Sequence, residues 1–186
     1  MRWLCGFALL LSCSSDGGGD ETFFVGTLRD GDVVAASVWR DEGVLLYSCG
    51  RDGTLASTTA WISGSPDGDA RFVAADGPVN VNVVRAGSMV SGELTDADGS
   101  ESIALLPADD ATAALFLNLE GPCRTAAIIL REGDGFRTQG AHFCDPDGPF
   151  FQVTPVRPLP DLPAELEVSF DDGTGEQRVM LDRVER

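Results

Sequence analysis

Asp-Gly punctuates this chain at 30–31, 52–53, 67–68, 76–77, 98–99, 134–135, 147–148 and 172–173. Short segments rich in β-branched and aromatic residues lie between these pairs. That pattern predicts tight hairpins, because type I′ turns need positive φ at both central residues and Asp-Gly supplies it cheaply. The spacing leaves no room for long helices, and no segment sustains a 3.6-residue apolar stripe. The chain is therefore restricted to strands that fold back on their neighbours.

Alternation supports the same conclusion. Val79-Asn-Val-Asn-Val83 alternates strictly, and Leu166, Val168 and Phe170 share one face of 165–171, as expected of half-buried strands. Leu115, Leu117 and Leu119 do likewise. Strands are expected near 22–28, 33–40, 44–50, 55–63, 69–75, 79–85, 88–95, 100–106, 113–120, 124–131, 136–144, 150–156, 165–171 and 176–183. The prolines of 157–164 oppose a central strand and mark a loop. The expected fold is all-β, an antiparallel hairpin-rich meander packed as small barrels or as a sandwich; turns alone do not choose between them.

The chain also echoes itself. Ala35-Ala-Ser-Val-Trp-Arg-Asp-Glu-Gly43 aligns with Ala126-Ala-Ile-Ile-Leu-Arg-Glu-Gly-Asp-Gly135 with one residue inserted, and Tyr47-Ser-Cys49 with His142-Phe-Cys144. Asp96-Ala-Asp-Gly-Ser-Glu101 resembles Asp171-Asp-Gly-Thr-Gly-Glu176. Two related β units follow, near 22–107 and 112–186, the second lacking a hairpin that the first has around Arg71 to Arg85.

Ahead of these units, Arg2 precedes an apolar run from Trp3 to Leu11, then Ser12-Cys13 and the Ser-Ser-Asp-Gly-Gly-Gly-Asp stretch of 14–20. This is the layout of an export signal, too short to span a bilayer. Leu-Leu-Ser-Cys13 resembles the lipobox of bacterial lipoproteins. The resemblance implies cleavage after residue 12, acylation of Cys13 and a flexible tether over 13–21. It places the protein in the cell envelope, and Ser14 favours the outer membrane over the inner.

Charge and composition exclude several chemistries. Thirty acidic residues stand against 13 basic ones, a net charge of −17, which argues against nucleic acid and anionic headgroups as ligands. Every basic residue is arginine, so a P-loop or Schiff-base lysine is impossible. A single histidine, His142, rules out a multi-histidine metal centre. Gly-x-Ser-x-Gly is absent, and nothing selects a carboxylate pair for glycosidase chemistry. The expectation is a non-catalytic binding or structural module without a cofactor, partnered by an envelope protein or a glycan; an envelope hydrolase is the weaker reading.

Individual residues carry the remaining expectations. If 124–131 and 136–144 form a hairpin, Cys123 and Cys144 fall opposite each other and can form a disulfide; a Cys49–Cys144 bridge across the repeat is the competing pairing. His142 and Cys144 share a strand face, but two ligands are too few for a metal. Asp96, Asp98 and Glu101 gather carboxylates in one loop and are candidates for weak calcium binding. Phe150 and Phe151 face opposite ways on a strand, so one of them should be exposed to a partner or covered by 157–164.

Overall fold

Why hairpins should close on themselves becomes clear in the computed structural model, which describes residues 23–41, 43–68, 70–144 and 148–185. The first unit is an eight-stranded antiparallel sheet of β1 (Phe23–Leu28), β2 (Val33–Arg40), β3 (Gly43–Cys49), β4 (Ala60–Gly64), β5 (Arg71–Asp76), β6 (Val79–Ala86), β7 (Met89–Asp96) and β8 (Gly99–Pro107). Its order, β4-β3-β2-β1-β8-β7-β6-β5, is a meander whose first strand returns to pair with its last. The sheet is nearly closed into a barrel, open along the seam between β4 and β5.

The second unit repeats the plan with fewer strands. β9 (Ala113–Asn118), β10 (Arg124–Glu132) and β11 (Gly135–Phe143) form its first meander, and β14 (Glu165–Asp171) with β15 (Glu176–Arg183) form its last hairpin. β15 returns to β9 as β8 returns to β1. Between them, β12 (Phe151–Gln152) pairs with β11, and β13 (Thr154–Pro155) pairs with β14. The expected single strand over 150–156 is thus split in two, each piece serving a different neighbour. Val153, buried at the break, donates its N–H to Gly140 O at 3.0 Å. β13 takes the place of β6, cut to two residues, and β5 alone has no counterpart, so the hairpin expected to be missing around Arg71 to Arg85 is corrected to one missing strand.

One expected strand is corrected. Over 55–63 the chain first makes a helical turn, α1 (Leu55–Thr58), and only then enters β4. Hydroxyls account for the difference: Thr58 Oγ1 donates to Thr54 O at 2.7 Å and Ser57 Oγ to the same carbonyl at 3.2 Å. Such back-bonding gives the backbone a local alternative to a ladder.

The turns also differ from the expected centres. Asp76 pairs with Val79 and Glu132 with Gly135, so the turn residues are Gly77-Pro78 and Gly133-Asp134. Glycine occupies the first turn position at φ 55° and 59°, a role that suits Gly-x hairpins better than an Asp-Gly centre. Asp76 ends its strand, whereas Asp98, Asp134 and Asp172 fall within turns.

Three apolar clusters hold the molecule together. Phe24, Trp39, Leu46, Phe72, Val81 and Leu105 belong to the filling of the first barrel, and Phe116, Ile129, Val153, Leu166, Val168 and Leu181 to that of the second. The third cluster lies between the barrels, where Val34, Ala36, Val38 and Tyr47 meet Leu115, Ala126, Ile128 and Ala141. β2 and most of β10 are therefore buried on both faces. Each apolar side chain removed from water contributes roughly 1.5–3 kcal/mol, and here one strand supplies two cores.

Residue-level equivalence between the units is set by the turns. Arg40 pairs with Gly43 and Glu132 with Gly135 across two-residue loops. Counting back from each loop matches Ala35 with Ala127, Ala36 with Ile128 and Tyr47 with Gln139, and needs no insertion. The alignment of Ala35 with Ala126 is thereby corrected by one residue. Ala35 faces its barrel's interior whereas Ala126 faces the interface, and a one-residue slip in a strand always exchanges the faces.

Candidate functional site

The end of the inter-barrel seam opens into a cleft of about 440 Å³. Three elements of the first barrel wall it: α1 through Ala56, the start of β4 through Thr59 and Trp61, and the β5–β6 turn through Asp76, Gly77 and Pro78. Pro122, Arg124, Phe143, Cys144 and Phe150 form the opposite wall.

Strand register explains why the aromatic rings gather there. Trp61 pairs with Tyr47 on β3, so both point out of the first barrel, with ring centroids 5.2 Å apart. On β11, Phe143 follows Ala141 on the same outward face. Phe143 and Phe150 stack at 4.5 Å and 7°, and Trp61 lies near-parallel to both at 5.9 and 6.3 Å. The result is a continuous aromatic wall crossing from one barrel to the other.

Polar groups line the same space. Asp76 Oδ2 accepts the Trp61 backbone N–H at 3.0 Å, spanning the β4–β5 seam with a side chain. The same oxygen meets Arg124 Nη1 at 3.5 Å. Trp61 is buried, and its indole N–H finds no hydrogen-bond partner among the described residues. An unmatched buried donor costs about 1–3 kcal/mol.

Phe150 and Phe151 do face opposite ways. Phe150 belongs to the cleft, and Phe151 turns toward the second barrel's core, with its centroid 5.7 Å from Phe170. Neither ring is freely exposed. Leu159 and Leu162 from the proline-rich loop join the cluster that holds Phe151.

Cys123 and Cys144 form the expected disulfide. The ladder of β10 and β11 ends at Arg124 opposite Phe143, and the two sulfurs bridge the next position along the same register. Cys49 is a free buried thiol, so the competing Cys49–Cys144 pairing does not occur. Burial pushes its pKa up to about 11.

His142 is buried beside the bridge. Its Nε2 lies 3.0 Å from Cys144 Sγ, its Nδ1 lies 2.8 Å from Thr125 Oγ1, and its ring stacks on Phe170 at 4.0 Å. Burial lowers its pKa, partly opposed by the charge of Asp172.

The calcium candidates converge, but on an arginine. Arg29 Nη2 contacts Asp96 Oδ2 at 2.6 Å, Nη1 contacts Asp98 Oδ2 at 3.4 Å, and Nε contacts Glu101 Oε2 at 3.1 Å. The Arg29 backbone N–H also donates to Glu101 Oε1 at 2.8 Å. The Asp96 side chain is fully buried, so the guanidinium stands where a bound cation would be needed. Its bond to Asp96 holds Arg29 above its ordinary pKa. Cys13, the expected lipidation site, lies outside the described residues. No known family, no curated protein and no solved structure matches this chain.

Proposed function

We propose that the protein is a lipid-anchored, non-catalytic binding module of the cell envelope, and that its ligand is a glycan taken into the cleft between the barrels. The observation that carries this reading is the wall of Trp61, Phe143 and Phe150 set beside the Arg124–Asp76 pair. Ligand sites commonly combine an apolar wall with a few fixed polar groups. A sugar ring offers an apolar face to the rings and hydroxyls to the guanidinium and the carboxylate. The net charge of −17 favours neutral polymers over anionic ones by plain repulsion.

The test is a titration of the purified protein with soluble cell-wall oligosaccharides, read by tryptophan fluorescence. Binding that weakens about tenfold in Arg124→Met, which keeps Trp61 as the reporter but removes the guanidinium, supports the reading, since one such bond is worth about 1.4 kcal/mol. Oligosaccharides that leave the fluorescence unchanged overturn the glycan assignment. For the anchor, Cys13→Ala should move the protein from the membrane fraction to the soluble one; unchanged partitioning overturns lipidation.

A further inference from the structure

The disulfide and its histidine form a constellation that borders the cleft through Cys144 but has no part in the proposed glycan contacts. The donor atoms of Cys123, His142 and Cys144 lie within 4.8 Å of one another, on residues that are half-buried, buried and exposed in turn. We infer that reduction of the Cys123–Cys144 bridge converts this corner into a binding site for a thiophilic divalent cation of the zinc class. Two sulfurs and one imidazole nitrogen make a three-ligand set with one position left for water.

The geometry around His142 favours this role over simple packing. Thr125 sits directly opposite His142 in the β10–β11 register, and its hydroxyl meets Nδ1 at 2.8 Å. Once the bridge is reduced and a cation is present, Nδ1–H can donate to that oxygen and leave the Nε2 lone pair to the metal, since Nε2 already faces sulfur. Metal-binding histidines are ordinarily oriented through their second nitrogen in this way. The ring is held by Phe170 from the other side, so it requires no reorientation. Sequence reasoning counted only His142 and Cys144; the register that joins Cys123 to Cys144 also delivers the third ligand.

The chemistry balances simply. A phosphine reductant takes the oxygen of one water molecule and becomes the phosphine oxide, while the S–S bond breaks and each sulfur gains one electron and one proton. Binding of the dication then releases both thiol protons. Two thiolates and a neutral imidazole leave the site with no net charge.

The experiment uses the full chain carrying Cys5→Ser, Cys13→Ser and Cys49→Ser, so that only these two thiols remain. After phosphine reduction, Co²⁺ is expected to bind at one per chain, with sulfur-to-cobalt charge-transfer absorption, and Zn²⁺ to displace it. His142→Gln should weaken binding at least tenfold, and Thr125→Val, a positioning change, by about tenfold. The unreduced protein should show no charge-transfer band. Near-ultraviolet circular dichroism reports whether the reduced chain is folded; if it is not, Zn²⁺ must restore the signal. A reduced protein that binds no cobalt, or one in which His142→Gln changes nothing, overturns the inference.

Discussion

Tyr47 and Gln139 occupy equivalent places in the two barrels, and each reaches across to the other barrel's backbone. Tyr47 Oη donates to Ala126 O at 3.3 Å and accepts from Ala141 N–H at 3.1 Å. Gln139 Nε2 donates to Cys49 O at 2.5 Å and Asp32 O at 2.8 Å. Cys49 is the counterpart of Ala141 in the turn-based alignment, so one contact of each residue is reciprocal. That is the signature of a twofold interface, here within one chain. Tyr47→Phe and Gln139→Leu each strand buried backbone groups, and each should lower the unfolding free energy by about 1–3 kcal/mol in urea titrations. Arg51→Ala, which breaks an exposed pair with Asp32, should cost under 1 kcal/mol.

Alkaline conditions should loosen this interface. Burial raises the pKa of the Cys49 thiol from 9.0 to about 11 and holds the Tyr47 phenol well above 10.0. Raised acids bind their protons more tightly when folded, so their contribution is complete below the unfolded values and fades as pH climbs through the folded ones. The melting temperature should therefore fall between about pH 9 and 11, and Cys49→Ala should flatten part of that decline. Alkylation of native Cys49 at pH 8 should be far slower than that of the unfolded chain.

Arg29 and its carboxylates invite a different measurement. The arginine and its neighbour Asp30 both adopt left-handed backbone at φ 51° and 53°, a strained choice that the three ion pairs hold in place. Arg29→Met leaves Asp96 buried without its cation. Breaking a buried pair costs about 3–5 kcal/mol; with Arg29 partly exposed and Asp98 largely so, about 2 kcal/mol is expected after screening. Calcium should leave the melting temperature of the native protein unchanged and raise that of the variant.

A sole histidine makes the acid limb readable. Burial lowers the pKa of His142 below 6.5, so the unfolded chain takes up the proton first. Stability from this group is complete above pH 6.5 and declines as pH falls toward the folded value. The single imidazole resonance should titrate with a midpoint below 6.5 by NMR, and His142→Gln should remove that slope from the stability profile.

Much of the architecture was legible because turns and alternation are local. Glycine at positive φ and two-residue loops place β6, β7, β14 and β15 within a residue or so of their expected bounds. The pairing of the barrels was written in the sequence less plainly. Val33-Val-Ala-Ala-Ser-Val-Trp39 and Ala126-Ala-Ile-Ile-Leu130 do not alternate, and near-continuous apolar runs are what strands covered on both sides require. The cleft was not legible, because Trp61, Arg124 and Phe150 meet only through long-range closure. Asp96, Asp98 and Glu101 were recognised as a group, yet their arginine lies far away in the chain at the end of β1.

The doubly covered strands have an evolutionary corollary. Severed near 108–112, either half would carry a broad greasy wall with nothing to shield it. Its best available shield would be another copy of itself, seated about the same axis. A primordial gene encoding one such cylinder would thus have worked as a pair of identical chains, and fusion would have freed one cylinder to shed a single stave while its sister kept all eight.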